Sequence, residues 1–136
     1  MVKKVGEKKM NQRDVNFQRN SAAKLLNFSD SRFRNCIRFS SEKAESDAHF
    51  SAKCVICREL CNMGFEFVTE ARFLNKSRAD IFVLDKSLAI EVLVSEKESN
   101  VTENKACKYP VYIEYLKLNE SMTVNSIKKW LEDVLN

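Results

Sequence analysis

The most regular pattern of apolar and polar positions lies between Ser41 and Gly64 and predicts an amphipathic helix. Ser41 is a suitable N-cap, and Gly64 is a typical C-terminal stop. Glu42 and Glu45 are acids in the first turn, where the helix dipole favours them. The face that the helix buries repeats at three- and four-residue spacing and consists of Ala48, Ala52, Val55, Ile56, Leu60 and Met63.

The same helix has a second apolar stripe on its opposite side, made of Phe50, Cys54, Cys57 and Cys61. A helix that is apolar on two sides has neighbours on both, so a sheet would cover one side. The N-terminal segment, or a second subunit in a homodimer, would cover the other. The spacing of Cys54 and Cys57 also suits a metal or cluster ligand pair. However, a continuous helix cannot easily turn three thiols onto one ion, which favours buried apolar thiols.

Three short apolar runs follow this helix, at residues 65–73, 78–84 and 88–95, and each predicts a strand. Only short polar turns separate them, so we expect consecutive strands to pair antiparallel as a meander. The second and third runs are hydrophobic almost without interruption. Both faces of the sheet should therefore be covered by helices.

The end of the chain predicts a further strand and a helix. Residues 96–109 are weakly helical and end at Pro110, and residues 111–118 predict a fourth strand. Thr123 or Asn125 caps a last amphipathic helix. Because a helix links the third and fourth strands, that pair is predicted to be parallel with a right-handed crossover. The fold class is therefore α/β, a four-stranded mixed sheet flanked by helices.

The basic side chains are concentrated near the N-terminus. Residues 1–40 hold ten basic and three acidic side chains, whereas the rest of the chain holds thirteen basic and sixteen acidic ones. We interpret residues 1–40 as a basic, partly disordered extension and residues 41–136 as the domain. Such a basic arm suits contact with a polyanion such as nucleic acid, and a solvated tail is the alternative that stays open.

The sequence predicts no membrane partner. It has no apolar run of the roughly 18 residues that a membrane helix needs. The charged residues at the N-terminus are not followed by the apolar stretch of a secretory signal. We therefore expect a cytoplasmic protein.

Two acids interrupt strands that are otherwise apolar, Asp80 in the second run and Glu91 in the third. Buried carboxylates need a partner, and two on adjacent strands can converge on one hard cation such as Mg²⁺. The alternative is a pair of structural ion pairs, Asp80 with Arg78 and Glu91 with Lys105. Two coincident buried acids favour the functional interpretation.

These residues also resemble a known family. The stretch Arg78-Ala79-Asp80-Ile81, then Ala89-Ile90-Glu91-Val92, Ser95 and Lys105-x-x-x-Tyr109-Pro110, resembles the PD-(D/E)XK nuclease superfamily. The likeness is to its small branches, which include archaeal and viral nucleases and the competence-associated nuclease-like proteins. It covers residues 42–118. It implies a restriction-endonuclease-like αβββαβ core and, for a viral source, a location in the host cytoplasm.

The resemblance implies a role for each candidate residue. Asp80 and Glu91 would bind Mg²⁺ or Mn²⁺, and Glu70 or Glu45 would supply a further acid, Glu45 as a metal ligand. The expected substrate is DNA, cut internally or from its ends. The residues that would contact it are His49, Lys53, Arg78, Ser95 and Tyr109.

One position departs from the family pattern. The lysine that normally follows the strand glutamate by two residues is replaced by Leu93. Lys105 is the first candidate to replace it, followed by Lys97 and Lys108. Two hypotheses follow, a metal-dependent nuclease and a non-catalytic nucleic-acid-binding or assembly module that retains the nuclease fold. A third is an interaction protein that dimerises through the two-sided helix.

Overall fold

The computed structural model describes residues 10–40, 45–94 and 109–136. Within these stretches the helices are α1 (Gln12–Ala23), α2 (Phe28–Ser31), α3 (Asp47–Asn62) and α4 (Val124–Leu135). The strands are β1 (Phe67–Arg72), β2 (Arg78–Val83), β3 (Leu88–Leu93) and β4 (Tyr112–Lys117). A 3-10 turn, Leu84–Lys86, joins β2 to β3.

The strands form one mixed sheet in the order β1-β2-β3-β4. The first three pair antiparallel, and β3 pairs parallel with β4, from Leu88 beside Tyr112 to Leu93 beside Lys117. The predicted meander, the predicted parallel pair and the α/β class are thereby confirmed. The helix predicted within residues 96–109 lies outside the described residues.

Helices cover both faces of the sheet. On one face α3 and α4 pack against β1, β2, β3 and β4 around fully buried residues that include Ile56, Leu60, Ile90 and Leu131. On the other face the end of α1 packs with Ala22 and Ala23 against a cluster that includes Phe82. The unbroken hydrophobicity of the strands is explained by this two-sided burial.

The prediction that Ser41 caps the long helix was wrong. The N-cap of α3 is Ser46, whose hydroxyl accepts a hydrogen bond from the His49 backbone N–H at 3.2 Å. Ala48, placed by the sequence on the buried face, is therefore exposed in the first turn. The predicted stop is confirmed, since Gly64 has the left-handed φ of +79° that ends many helices.

Residues 33–40 lie along the edge of β1 without forming a regular strand, and hydrogen bonds attach them to it. The Asn35 N–H donates to the Phe67 carbonyl oxygen at 2.8 Å, and the Thr69 hydroxyl donates to the Cys36 carbonyl oxygen at 2.6 Å. Only Arg34 forms an isolated bridge, with Val68. The boundary between extension and domain at residue 40 stays a prediction.

Two arginines of the basic N-terminal segment form ion pairs with acids elsewhere in the chain. Arg19 of α1 lies 3.0 Å from Asp85 and donates to the Gly64 carbonyl oxygen at 2.8 Å. Arg34 lies 3.0 Å from Glu66. These contacts fasten α1 and Arg34 to the turn after β2 and to the residues before β1, so this part of the basic segment has a structural role besides any contact with a polyanion.

Candidate active site

Asp80 lies where the sheet opens. The pairing of β2 with β3 ends at Ile81 and Ile90, and beyond it the Val92 N–H donates to the Asp80 carboxylate at 2.8 Å. Burial would raise the pKa of Asp80, but hydrogen bonds from His49 and from the Val92 backbone outweigh it and hold the pKa below its ordinary value. Asp80 is thus a carboxylate held between two strands.

Glu91 follows Ile90 on β3 and so lies across from Asp80, where the pairing of β2 with β3 ends, and its carboxyl group helps to hold the pKa of Asp80 low. The Tyr109 hydroxyl donates to the Glu91 carboxylate at 2.6 Å and also contacts the Arg78 carbonyl oxygen. The structure therefore brings Asp80, Glu91 and Tyr109 together at one place.

Glu70 reaches this place through an unusual backbone conformation. Its neighbours on β1 pair with β2, but Glu70 itself is skipped and has a left-handed φ of +48°. Such a conformation costs a non-glycine residue roughly 1–3 kcal/mol. Its buried Oε1 has no hydrogen-bond partner in the described part of the chain, and the Arg78 Nε lies 4.0 Å from it. Burial raises the pKa of Glu70, and the Lys53 ammonium only partly offsets it.

His49, in the first turn of α3, bridges two acids. Its Nε2 lies 3.1 Å from Asp80, and its Nδ1 contacts Glu45. Burial alone would lower the pKa of His49, but the hydrogen bonds and charges of Asp80 and Glu45 raise it to about 9. The imidazole is therefore protonated at neutral pH and neutralises part of the negative charge of the site.

This protonation can be measured directly, because His49 is the single histidine of the chain. In the untagged protein, its imidazole C–H resonances are expected to titrate with a midpoint near 9 in an NMR titration, and Asp80→Asn should lower that midpoint towards 6.5. A raised folded-state pKa gives stability that is complete below 6.5 and is lost as the pH rises through about 9. A wild-type midpoint at or below 6.5 would contradict the bridging geometry.

Lys53 lies beneath the acids, and its side chain is fully buried. Its Nζ is 2.9 Å from Glu45 and 3.4 Å from Glu70, and it donates to the Arg38 carbonyl oxygen at 2.7 Å. The sequence suggested that Lys53 contacts a substrate phosphate. The structure instead gives its ammonium an internal role, in which it holds two carboxylates and the chain at Arg38 together.

Two arginines lie at the rim of the site. Arg72 and Arg78 are directly paired across β1 and β2, two residues beyond Glu70 and Asp80. The Arg72 side chain is 56% exposed although it is bound to Asp30. Sequence analysis missed Arg72, since nothing in its local pattern distinguishes it from a surface arginine. Ser95 and Lys105, with Lys97 and Lys108, lie outside the described residues.

The cysteines of α3 do not face one point. Cys57 is buried in the core, and burial raises the pKa of its thiol, whereas Cys61 is exposed. Across residues 10–40, 45–94 and 109–136, no three His, Cys, Asp or Glu side chains form a group that could hold a metal ion as they stand. Any cation at the carboxylates would therefore need ligands beyond this protein's described side chains, such as water or substrate oxygens.

Comparison with known proteins gives no further guide. No protein-family model, no curated protein and no solved structure matches the chain. No helix within the described stretches is long and apolar enough to cross a membrane.

Proposed function

We propose that the chain is a metal-dependent nuclease with a restriction-endonuclease-like core. Its proposed reaction is the hydrolysis of phosphodiester bonds in DNA, with RNA as the second choice of substrate. The observation that carries the proposal is the placement of two acids across from each other where β2 and β3 separate. There Asp80 accepts from the Val92 N–H at 2.8 Å, and Glu91 accepts from the Tyr109 hydroxyl at 2.6 Å. Buried acids are seldom placed together without a cation or a catalytic task.

The chemistry of this donor set fits Mg²⁺ or Mn²⁺. The atoms available are hard carboxylate oxygens, including Oε1 of Glu70, which accepts no hydrogen bond from the described residues. Mg²⁺ is usually bound by one or two carboxylates together with waters and substrate phosphates, so Asp80 and Glu91 suffice as protein ligands. Glu45, the other predicted metal ligand, already binds His49 and Lys53. Its proposed role is therefore to orient these two side chains.

When bound, the cation would supply charge stabilisation for the phosphoryl group and an activated water. The protein's own residues would do the rest. The Tyr109 hydroxyl orients Glu91, and His49 orients Asp80. Arg72 and Arg78 at the rim provide guanidinium groups that suit phosphate oxygens. Whether Lys105 supplies the lysine missing at Leu93 stays a prediction.

A second candidate is a non-catalytic nucleic-acid-binding or assembly module that keeps this fold. The observation that favours it is Leu93, which is 5% exposed and occupies the position of the family's usual lysine. Lys53 cannot replace that lysine in this arrangement, because its ammonium is buried and bound to Glu45 and Glu70.

Cleavage by the wild-type protein separates these candidates. Supercoiled plasmid, linear duplex, single-stranded DNA and RNA would each be incubated with Mg²⁺, with Mn²⁺, and with a chelator. Cleavage of DNA that requires Mg²⁺ or Mn²⁺ and stops with chelator supports the nuclease. DNA binding without cleavage under any of these conditions supports the non-catalytic module and overturns the nuclease. Cleavage confined to RNA would overturn the choice of DNA.

A further inference from the structure

A large aromatic side chain lies in solvent beside the acids. Phe39 is 73% exposed, although one face of its ring stacks on Phe50 of α3. The ring centroids are 4.7 Å apart, and the planes are within 15° of parallel. The Lys53 ammonium lies 5.5 Å from the Phe50 ring, so this aromatic pair adjoins the buried lysine. One ring face of Phe39 is thus supported and the other is open.

The backbone on either side of Phe39 is bound to the site. The Arg38 carbonyl oxygen accepts a hydrogen bond from Lys53 at 2.7 Å, and the Ser40 N–H donates to Glu45 at 3.2 Å. The same Lys53 and Glu45 contact Glu70 and His49. The hydrogen bonds on both sides of Phe39 therefore fix the backbone of an exposed phenylalanine relative to the carboxylates.

Guanidinium groups lie on and beside the segment that carries this ring. The Arg38 guanidinium is 4.6 Å from the centroid of the Phe33 ring. Asp30 binds both Arg38, at 3.4 Å, and the half-exposed Arg72, at 3.1 Å. An exposed aromatic ring on a segment that also carries guanidinium groups is a combination that single-stranded nucleic acids use, since bases stack on the ring and phosphates bind the cations.

We propose that Phe39 is a stacking platform for an unpaired base, which makes single-stranded or frayed nucleic acid the substrate class of the site. This inference rests on the proposed function, because the stacked base would present its neighbouring phosphate to Asp80 and Glu91. The bases of an intact duplex are already stacked on one another, so the ring discriminates against uninterrupted double strands.

Binding measured without cleavage tests the platform. Fluorescence anisotropy with a labelled oligothymidylate of about 15 nucleotides, within the range of known single-strand sites, would be recorded in chelator. Phe39→Ala is expected to weaken binding about tenfold, whereas Phe39→Trp keeps it and Phe39→Leu loses it, because stacking needs an aromatic ring. Phe17→Ala is the matched control, since Phe17 is 75% exposed on α1 and its loss should leave the affinity unchanged.

Several outcomes would overturn the platform. These are no oligothymidylate binding by the wild type, equal affinity of wild type and Phe39→Ala, or an equal loss on a blunt duplex. Full binding by Phe39→Leu would also overturn it, because Leu keeps an apolar surface without a ring. If sedimentation shows a wild-type dimer that Phe39→Ala dissolves, a second copy of the chain occupies the ring instead.

The proposed nuclease activity can fail separately. If the wild type cleaves nothing but Phe39→Ala still loses oligothymidylate binding, the platform stands and the nuclease fails. If the wild type cleaves DNA with Mg²⁺ and Phe39→Ala binds and cleaves single strands normally, only the platform fails. Thermal unfolding of each variant shows that a loss of affinity is not a loss of fold.

Discussion

Asp80→Asn is expected to lower the rate of metal-dependent cleavage about a thousandfold. A bound cation contributes several kcal/mol of transition-state stabilisation, and about 4 kcal/mol corresponds to three factors of ten in rate. The amide is a weak cation ligand and carries no charge, but it keeps the shape of the side chain. Its oxygen can still accept from the Val92 N–H, which Asp80 binds at 2.8 Å, so the strands should remain in place.

Glu91→Gln should reduce the rate by a similar factor, since its side chain shares the site with Asp80. Asp133→Asn, an exposed acid on α4, is the matched control and should leave the rate unchanged. The measurement is single-turnover cleavage with Mg²⁺, alongside the shift in melting temperature that Mn²⁺ causes. A fully active Asp80→Asn variant, or an Mn²⁺ shift that survives both substitutions, would contradict the assignment of these two acids.

Much of this fold was predictable because burial determines which positions along the chain are apolar. The strand runs show no polar alternation, and the structure explains this by helices on both faces of the sheet. The parallel pairing of β3 with β4 was predicted because a helix was expected in the link between them, and the pairing is parallel. Gly64 ends α3 because its φ of +79° suits glycine and few other residues.

The start of α3 was out of reach for a physical reason. Ser41 and Ser46 are both reasonable N-caps, and Glu45 suits a first helical turn as well as a position before the helix. The choice is made by contacts that are distant from the local pattern. Glu45 is held outside the helix by Lys53 at 2.9 Å and by the Ser40 N–H at 3.2 Å.

The candidate site was predictable only where its residues interrupt an apolar pattern. Asp80 and Glu91 stood out for that reason. Glu70 did not stand out as strongly. Its position near Asp80 depends on a left-handed φ of +48°, which a glutamate in an apolar run does not predict. Lys53 was expected to contact the substrate, whereas its buried ammonium pairs with Glu70, a partner on another element.

Lys53→Met is expected to destabilise the protein by about 3 kcal/mol, because removing one member of a buried ion pair leaves its partners uncompensated. Methionine keeps the length and apolar stem of the side chain, so the loss reports the ammonium. The variant lacks the ammonium charge that neutralises Glu45 and Glu70, which lie 2.9 Å and 3.4 Å from Nζ in the wild type. The free energy of unfolding from urea titrations at neutral pH measures the effect.

The pH dependence identifies the cause of that loss. Burial would raise the pKa of Glu45, but Lys53 and His49 hold it below 4.5, so its stabilising contribution is present above 4.5 and is lost as the pH falls through the folded value. Without Lys53 this contribution shrinks and the already raised pKa of Glu70 rises further. The deficit of the variant should therefore be largest at neutral pH and should decrease below 4.5.

Lys128→Met is the matched control for this substitution. Lys128 also lies near a glutamate, Glu59, at 3.9 Å, but its side chain is 38% exposed. Exposed ion pairs contribute little, so its removal should change the free energy of unfolding by less than about 0.5 kcal/mol. If Lys53→Met costs no more than Lys128→Met, or if its deficit is the same at every pH, the ammonium does not hold the carboxylates together. Because Lys53 also binds the Arg38 carbonyl oxygen, Lys53→Met should in addition loosen Phe39 and weaken oligothymidylate binding.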